Sequence, residues 1–363
     1  MTTTWSDHAG RLTVDLAALQ RNWRHLAGLS EGAEAGAVVK ADGYGLGLEP
    51  VAKALWEAGA RTFFVAHAHE GERLRAARGE AVIYVLNGLP PGGADRMLAT
   101  QLRPVLGSMA ELDEWLAHPN DEKPAALHVD TGMNRLGLSP GEAEGLSGSG
   151  RDLSCIALLL SHLACADEAD HALTARQADT FARLRRHFPD MPASLANSAG
   201  ILRGGLAHDL TRPGIALYGA SALAEPSALE TVAYLHAPVI QLRDVAAGET
   251  VGYGATWTAR CPTRAAILSV GYADGFVRAA GSSDEEKGHA AWYEGRMLPL
   301  IGRISMDLIA VDATDTPNLM RGDMVELLGP HAHVDHAARA AGTIGYEFLT
   351  GLGRRYERIY RGA

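Results

Sequence analysis

Cysteine is scarce in this chain: three residues, Cys155, Cys165 and Cys261, among 363. They form neither a spaced metal-ligating set nor an even disulfide framework, which predicts a reduced, cytoplasmic protein. Positive charge is also in deficit. Lys and Arg number 33 against 43 Asp and Glu, a net charge of −10, and the arginines are scattered rather than blocked into a stripe. A nucleic-acid partner is therefore not expected. No apolar run approaches the ~20 residues of a membrane span, and Ile156 to Leu160 is only strand length. The opening M-T-T-T-W-S-D-H lacks the basic and apolar regions of a signal peptide. Internal repeats and low-complexity segments are missing. The glycines of G-Y-G-L-G at 43 complete neither a dinucleotide nor a nucleotide-phosphate loop. Two histidine-rich stretches, H-A-H-E at 67 and H-A-H-V-D-H at 331, lack the helical His–Glu spacing of a zinc site, so no metal is expected. The second follows a proline, and Asp335 is placed to cap the next helix.

What is present is an ordinary globular composition, 47% hydrophobic and 21% charged, at a length that suits two domains. Eight short apolar runs alternate with amphipathic helical stretches. They are A-V-V-K at 37, T-F-F-V-A at 62, A-V-I-Y-V-L at 81, R-P-V-L at 103, A-A-L-H-V-D at 125, C-I-A-L-L-L-S-H at 155, A-S-L-A-N at 193 and G-I-A-L-Y-G at 214. Eight strands, each followed by a helix, predict an α/β fold of the (β/α)8 TIM-barrel type. After Tyr218 the texture changes, with five runs from A-P-V-I-Q-L-R-D-V to M-V-E-L-L-G-P separated by turns. That predicts a barrel over residues 1–230 and a mostly β C-terminal domain over 231–363, joined near S-A-L-A-E-P-S at 221. A short strand at Arg11 to Val14 is free to pair with the second domain.

Barrel enzymes assemble chemistry at the carboxyl ends of their strands. Collected there are Lys40 and Tyr44 after the first run, Asp130 and Arg135 after the fifth, His162 after the sixth, Asn197 and Ser198 after the seventh, and Arg212 before the eighth. Singly, a strand-end lysine snorkels into water and a histidine is a satisfied core residue. At one rim, a lysine, a histidine and two arginines suit an anionic cofactor or substrate.

These blocks, with V-G-Y-G-A-T-W at 251, G-Y-A-D-G at 271 and G-R-I-S-M-D at 302, resemble the bacterial alanine racemases, pyridoxal-phosphate enzymes built from a barrel and a β domain. The resemblance runs from about Arg11 to Tyr360. It implies that Lys40 carries the cofactor covalently, that Tyr44, Asn197, Ser198, Gly214 and Ile215 hold it, and that Arg212 faces the pyridine nitrogen. An arginine cannot accept that nitrogen's proton, so the ring is a weaker electron sink and transamination is suppressed. The resemblance further implies two acid–base groups, Lys40 and Tyr253, on opposite faces of the substrate Cα, with His162 and Arg212 assisting the tyrosine. Arg135 and the Met306 amide would hold the substrate carboxylate, with Tyr272 at the entrance. A homodimer with shared active sites completes the picture.

Two departures stand out. The family often has a carbamylated lysine where this chain has His128, so either Asn134 or a bound anion is expected to position Arg135. Gly43 replaces the commoner alanine, which makes the lysine turn more pliable. Tyr346 reads as packing. The competing readings are a racemase of serine or of several small amino acids, and a non-catalytic pyridoxal-phosphate carrier. Such a carrier would need neither Tyr253, Tyr272 nor Met306.

Overall fold

The computed structural model describes residues 8–120, 123–223 and 229–362. Seven of the predicted runs form parallel strands, Ala37–Val38, Thr62–Val65, Val82–Val85, Arg103–Leu106, Ala125–His128, Ile156–Leu160 and Ala193–Ser194, paired in chain order in one curled sheet. Every residue of Thr62–Val65 is buried, as a parallel strand with the barrel core on one side and helices on the other requires. The helices turn an apolar stripe inward: Leu48–Ala58 buries Leu48, Val51, Ala52, Ala54 and Leu55, and ends on Gly59 at φ 125°.

The eighth strand is not the one expected. G-I-A-L-Y-G at 214 folds as a 3-10 turn, Ile215–Tyr218, closed by Gly219 in the left-handed region. The closing strand is the two-residue Leu210–Thr211, parallel to Glu34–Ala35. On its other edge the Asp209 and Arg212 amides donate to the Ala193 and Ala196 carbonyls, both at 2.9 Å. The difference is physical, because a run bounded by two glycines has a turn's punctuation, whereas a two-residue strand has too few positions to display a period.

The β-rich part is organised by the 13-residue strand Ala233–Val245. It pairs with Arg11–Asp15, Thr263–Leu268 and Met324–Leu328, and an irregularity between Val239 and Gln241 lets it pass from one set of partners to another. Arg11–Asp15 also runs parallel to Glu357–Arg361, so strands near both termini share this sheet. Of M-L-P-L-I-G-R-I-S-M at 297, only the part inside Arg296–Pro299 is strand, and Ala290–Tyr293 is a strand that no run announced. Of the expected linker, residues 224–228 lie outside the described residues, as do residues 1–7 of the opening stretch.

Candidate active site

Lys40 sits just beyond the strand Ala37–Val38 and opens a turn of unusual backbone: Ala41, Asp42, Gly43 and Tyr44 have φ of 54°, 57°, 65° and 53°. A left-handed conformation costs a residue with a Cβ roughly 1–2 kcal/mol, and it persists only where the surroundings enforce it. Here they do. Asp42 accepts from the Leu48 amide at 3.2 Å and from Arg73 at 2.8 Å. From the β domain, Arg358 donates to the Gly45 carbonyl at 2.7 Å and the Tyr360 hydroxyl to that of Leu46 at 3.0 Å. Glycine fits at 43 because it carries no Cβ penalty at φ 65°.

The turn places Lys40 near Arg135 and Tyr44 against Gly214. Burial first, and then the charge of Arg135, pull the Lys40 amine below its ordinary pKa, while Glu70 opposes them. A partly neutral amine is what a covalent or acid–base lysine needs. The Tyr44 ring stacks on Tyr218 at 4.6 Å and tilts against Tyr346 at 6.2 Å. Its hydroxyl lies so near Gly214 that a Cβ there would sit 2.5 Å away. The Gly214 and Ala216 amides donate to Ser198 Oγ at 2.8 and 3.4 Å, and Asn197 Oδ1 caps the helix Ser198–Arg203 by accepting from the Gly200 amide at 3.0 Å. Phenol, hydroxyl and backbone amides around a glycine with no room for a side chain form a donor set that fits a phosphate.

Arg212 is 4% exposed. It donates to Ser194 Oγ and to the Ser161 and Leu195 carbonyls, and no carboxylate pairs with it among the described residues. Burial alone lowers it to about 10, so it remains a cation at neutral pH. Around it both histidines are held neutral. His128 falls to about 4 through burial, with Arg212 adding to the effect. His162 falls well below its usual range through burial, then Arg212 and Arg135. The resemblance implies that His162 and Arg212 act together on the tyrosine; no hydrogen bond links them among the described residues, and the charge of Arg212 is one of the causes that lower His162.

Arg135 is exposed, and a neutral His128 cannot stand in for a carbamate. Nor does the Asn134 side chain bond to Arg135 among the described residues. The loop is instead built on Asp130, whose carboxylate accepts from the amides of Gly132, Met133 and Asn134, each at 2.9 Å. Beside these groups opens a cavity of about 590 Å³ bordered by Met133, His162, Asn197, Arg339 and Tyr346. Tyr346, expected only to pack, therefore does so and also faces the cavity. Burial is the first cause of its rise to about 12.

The remaining predicted residues form a separate group on the β domain. Tyr253, Tyr272 and Met306 are 69%, 40% and 54% exposed. The amides of Tyr272 and Ala273 donate to the Ser305 and Met306 carbonyls at 3.1 and 2.9 Å, which ties the Tyr272 turn to the Met306 loop. Gly271 permits this approach, since a Cβ there would lie 2.3 Å from the Met306 oxygen. None of the three makes a hydrogen bond to Lys40, His162 or Arg212 among the described residues.

The histidine-rich stretches have local explanations. H-A-H-E is a capping box in which His67 caps Ala68–Ala77 and Glu70 answers at the third helical position. In H-A-H-V-D-H the cap is His333, and Asp335, placed there by sequence reasoning, lies inside the helix Val334–Ala340 and accepts from the Ser221 amide at 2.8 Å.

Family models of the alanine racemase N-terminal domain and C-terminal domain match residues 14–222 and 232–360. A protein named alanine racemase from Methylobacterium sp. (strain 4-46) is 52% identical over 367 residues, covering 99% of each chain. A crystal structure of alanine racemase from Bartonella henselae with covalently bound pyridoxal phosphate superposes at a TM-score of 0.91 with 39% identity, covering 97% of this chain and 99% of that one. The biosynthetic alanine racemase from Pseudomonas aeruginosa gives the same TM-score, identity and coverage.

Proposed function

The chain belongs to the alanine racemase family, pyridoxal-phosphate isomerases of L- and D-alanine, and from that premise we propose that its reaction is divided between Lys40 on one face of the substrate Cα and Tyr253 on the other. Lys40 would hold the cofactor covalently. Tyr44, Asn197, Ser198 and the Gly214 and Ile215 amides would hold its phosphate end, and Arg212 would face the ring nitrogen. Bound there, pyridoxal phosphate supplies an electron sink that acidifies the Cα proton. Lys40 Nζ, freed from the cofactor when the substrate amino group takes its place, would take or return that proton on its face, and Tyr253 Oη would do the reverse on the other. Arg212 would keep positive charge at the mouth, and with the neutral His162 beside it would assist Tyr253 there. Arg135 and the Met306 amide would orient the substrate carboxylate, and Tyr272 would restrict the entrance, leaving room for a methyl group.

The observation that carries this reading is the burial of Arg212 without a carboxylate. It favours a ring nitrogen left unprotonated and thus a proton returned to Cα rather than to the cofactor. The exposure of Tyr253, Tyr272 and Met306, with no hydrogen bond to Lys40 among the described residues, supports a homodimer in which each β domain completes the partner's mouth. Three free cysteines are in keeping with a cytoplasmic protein. We place the domain boundary between residues 230 and 231, just ahead of the long strand that starts at Ala233.

The test is to reduce the yellow protein with borohydride, map the pyridoxyl peptide, and follow D-alanine formation from L-alanine by chiral chromatography. The reading expects the label on Lys40 and loss of activity on reduction. A label on another lysine removes the assignment.

A further inference from the structure

Glu70 is a buried carboxylate, 5% exposed, on the helix that follows the second barrel strand. No cation lies within ion-pair distance of it among the described residues. One oxygen, Oε2, accepts from the Ala66 and His67 amides at 2.8 and 3.0 Å, which is all that capping its own helix requires. The other, Oε1, reaches out of the helix and accepts from the Ala41 amide at 2.7 Å. Ala41 is the residue after Lys40 and the first of the four in left-handed conformation. Among the described residues, Glu70 is therefore the side chain that ties the lysine turn to the neighbouring strand end, from the barrel side and next to the lysine itself. Arg73, Arg358 and Tyr360 grip the same turn further along, at Asp42, Gly45 and Leu46.

We propose that Glu70 is a positioning residue for Lys40: its carboxylate bridges two barrel loops and holds the left-handed turn that delivers the lysine to the mouth. The proposal rests on Lys40 as the cofactor-bearing lysine. Lys40 is faced by Glu70, Arg135 and His162, of which Glu70 is the carboxylate that supports its charged form, so the bridge also sets how readily the amine loses its proton.

Glu70→Gln separates the bridge from the cap. Glutamine serves a capping box as glutamate does, so Ala66 and His67 keep an acceptor. The other end would then point an N–H2 at the Ala41 N–H, and no bond forms. The experiment strips the full chain of cofactor, adds pyridoxal phosphate at a series of pH values, and follows return of the visible band. In Glu70→Gln the midpoint of the attachment rate should move down by about half a unit or more, because the supporting carboxylate is gone. Above both midpoints attachment should be about tenfold slower, because the turn no longer presents the amine. A carboxylate that serves the fold alone would lower Tm and leave the midpoint in place, and that result overturns the proposal. Should the variant not fold, hydrogen exchange in the intact wild-type protein decides: an Ala41 amide protected like those of Ala66 and His67 upholds the bridge, and one that exchanges freely refutes it. Peptide mapping of the reloaded protein keeps the two readings apart. A label away from Lys40 would remove the premise, whereas a label on Lys40 with an unmoved midpoint would refute the role of Glu70.

Discussion

A guanidinium satisfied by two carbonyls and a hydroxyl keeps its charge in the core without needing a counter-ion, and in the proposed reaction this gives Arg212 a chemical use. A carboxylate there would let the cofactor nitrogen hold a proton and deepen the electron sink. Arg212→Glu is thus expected to slow racemisation by roughly two orders of magnitude, to accumulate a new long-wavelength band with alanine, and to convert some alanine to pyruvate. Spectra and product analysis in single turnover check this; a variant that racemises at the wild-type rate with no new band would contradict the role. At this scale much was readable from sequence. Lys40, Tyr44, Arg135, His162 and Ser198 each follow a recognisable strand, and a barrel gathers such residues at one rim, whereas Arg212 follows Leu210–Thr211, which no run announced. Glu70 was not readable as a site residue. Its spacing after His67 is a helix-start signature, and nothing local shows that a second oxygen reaches Ala41, 29 residues away in sequence. Tyr346 was read as packing because a lone aromatic beside a helix start usually is, and the cavity beside it exists only once the two domains are joined.

At the scale of elements, the place proposed for the phosphate depends on a strand, a helix and a 3-10 turn meeting with no space to spare. The amide of Gly214 bonds to Ser198, its Cα lies under the Tyr44 hydroxyl, and Tyr44 is pinned by Tyr218. Gly214→Ala places a Cβ 2.5 Å from that hydroxyl, inside any real contact distance, so the phenol must swing away. Cofactor affinity should fall by roughly tenfold, about 1.4 kcal/mol, with racemisation restored at high pyridoxal phosphate. Equilibrium titration of stripped protein measures it, and an unchanged dissociation constant would show that the crowding has no bearing on the cofactor. The closing of the barrel explains why this element escaped sequence reading. Long runs such as Ile156–Leu160 declare themselves by composition, but Leu210–Thr211 is a strand because of its neighbours on both edges, and its length leaves no pattern to detect. The left-handed turn after Lys40 was equally hidden, since three of its four residues have side chains that rarely adopt it.

For the whole molecule, the governing fact is that Tyr253, Tyr272 and Met306 are exposed on the β domain and make no hydrogen bond to Lys40 among the described residues. The two-domain order and the β character of the second part were legible from the change of texture after Tyr218. The shared central sheet was less so, because pairing of Arg11–Asp15 with Ala233–Val245 and Glu357–Arg361 spans nearly the whole chain. A racemase needs proton exchange on both faces of Cα, so an account that places its two bases in separate half-sites requires a partner to unite them. Lys40→Ala and Tyr253→Phe chains should each be nearly inactive alone, since every site of either homodimer lacks one base. Combined in a heterodimer, they leave one site with both lesions and one with neither. The decisive measurement is racemisation of L-alanine by a purified, doubly tagged heterodimer of these two chains. The account predicts recovery approaching half the wild-type rate, and a verified heterodimer no faster than its parents would contradict it.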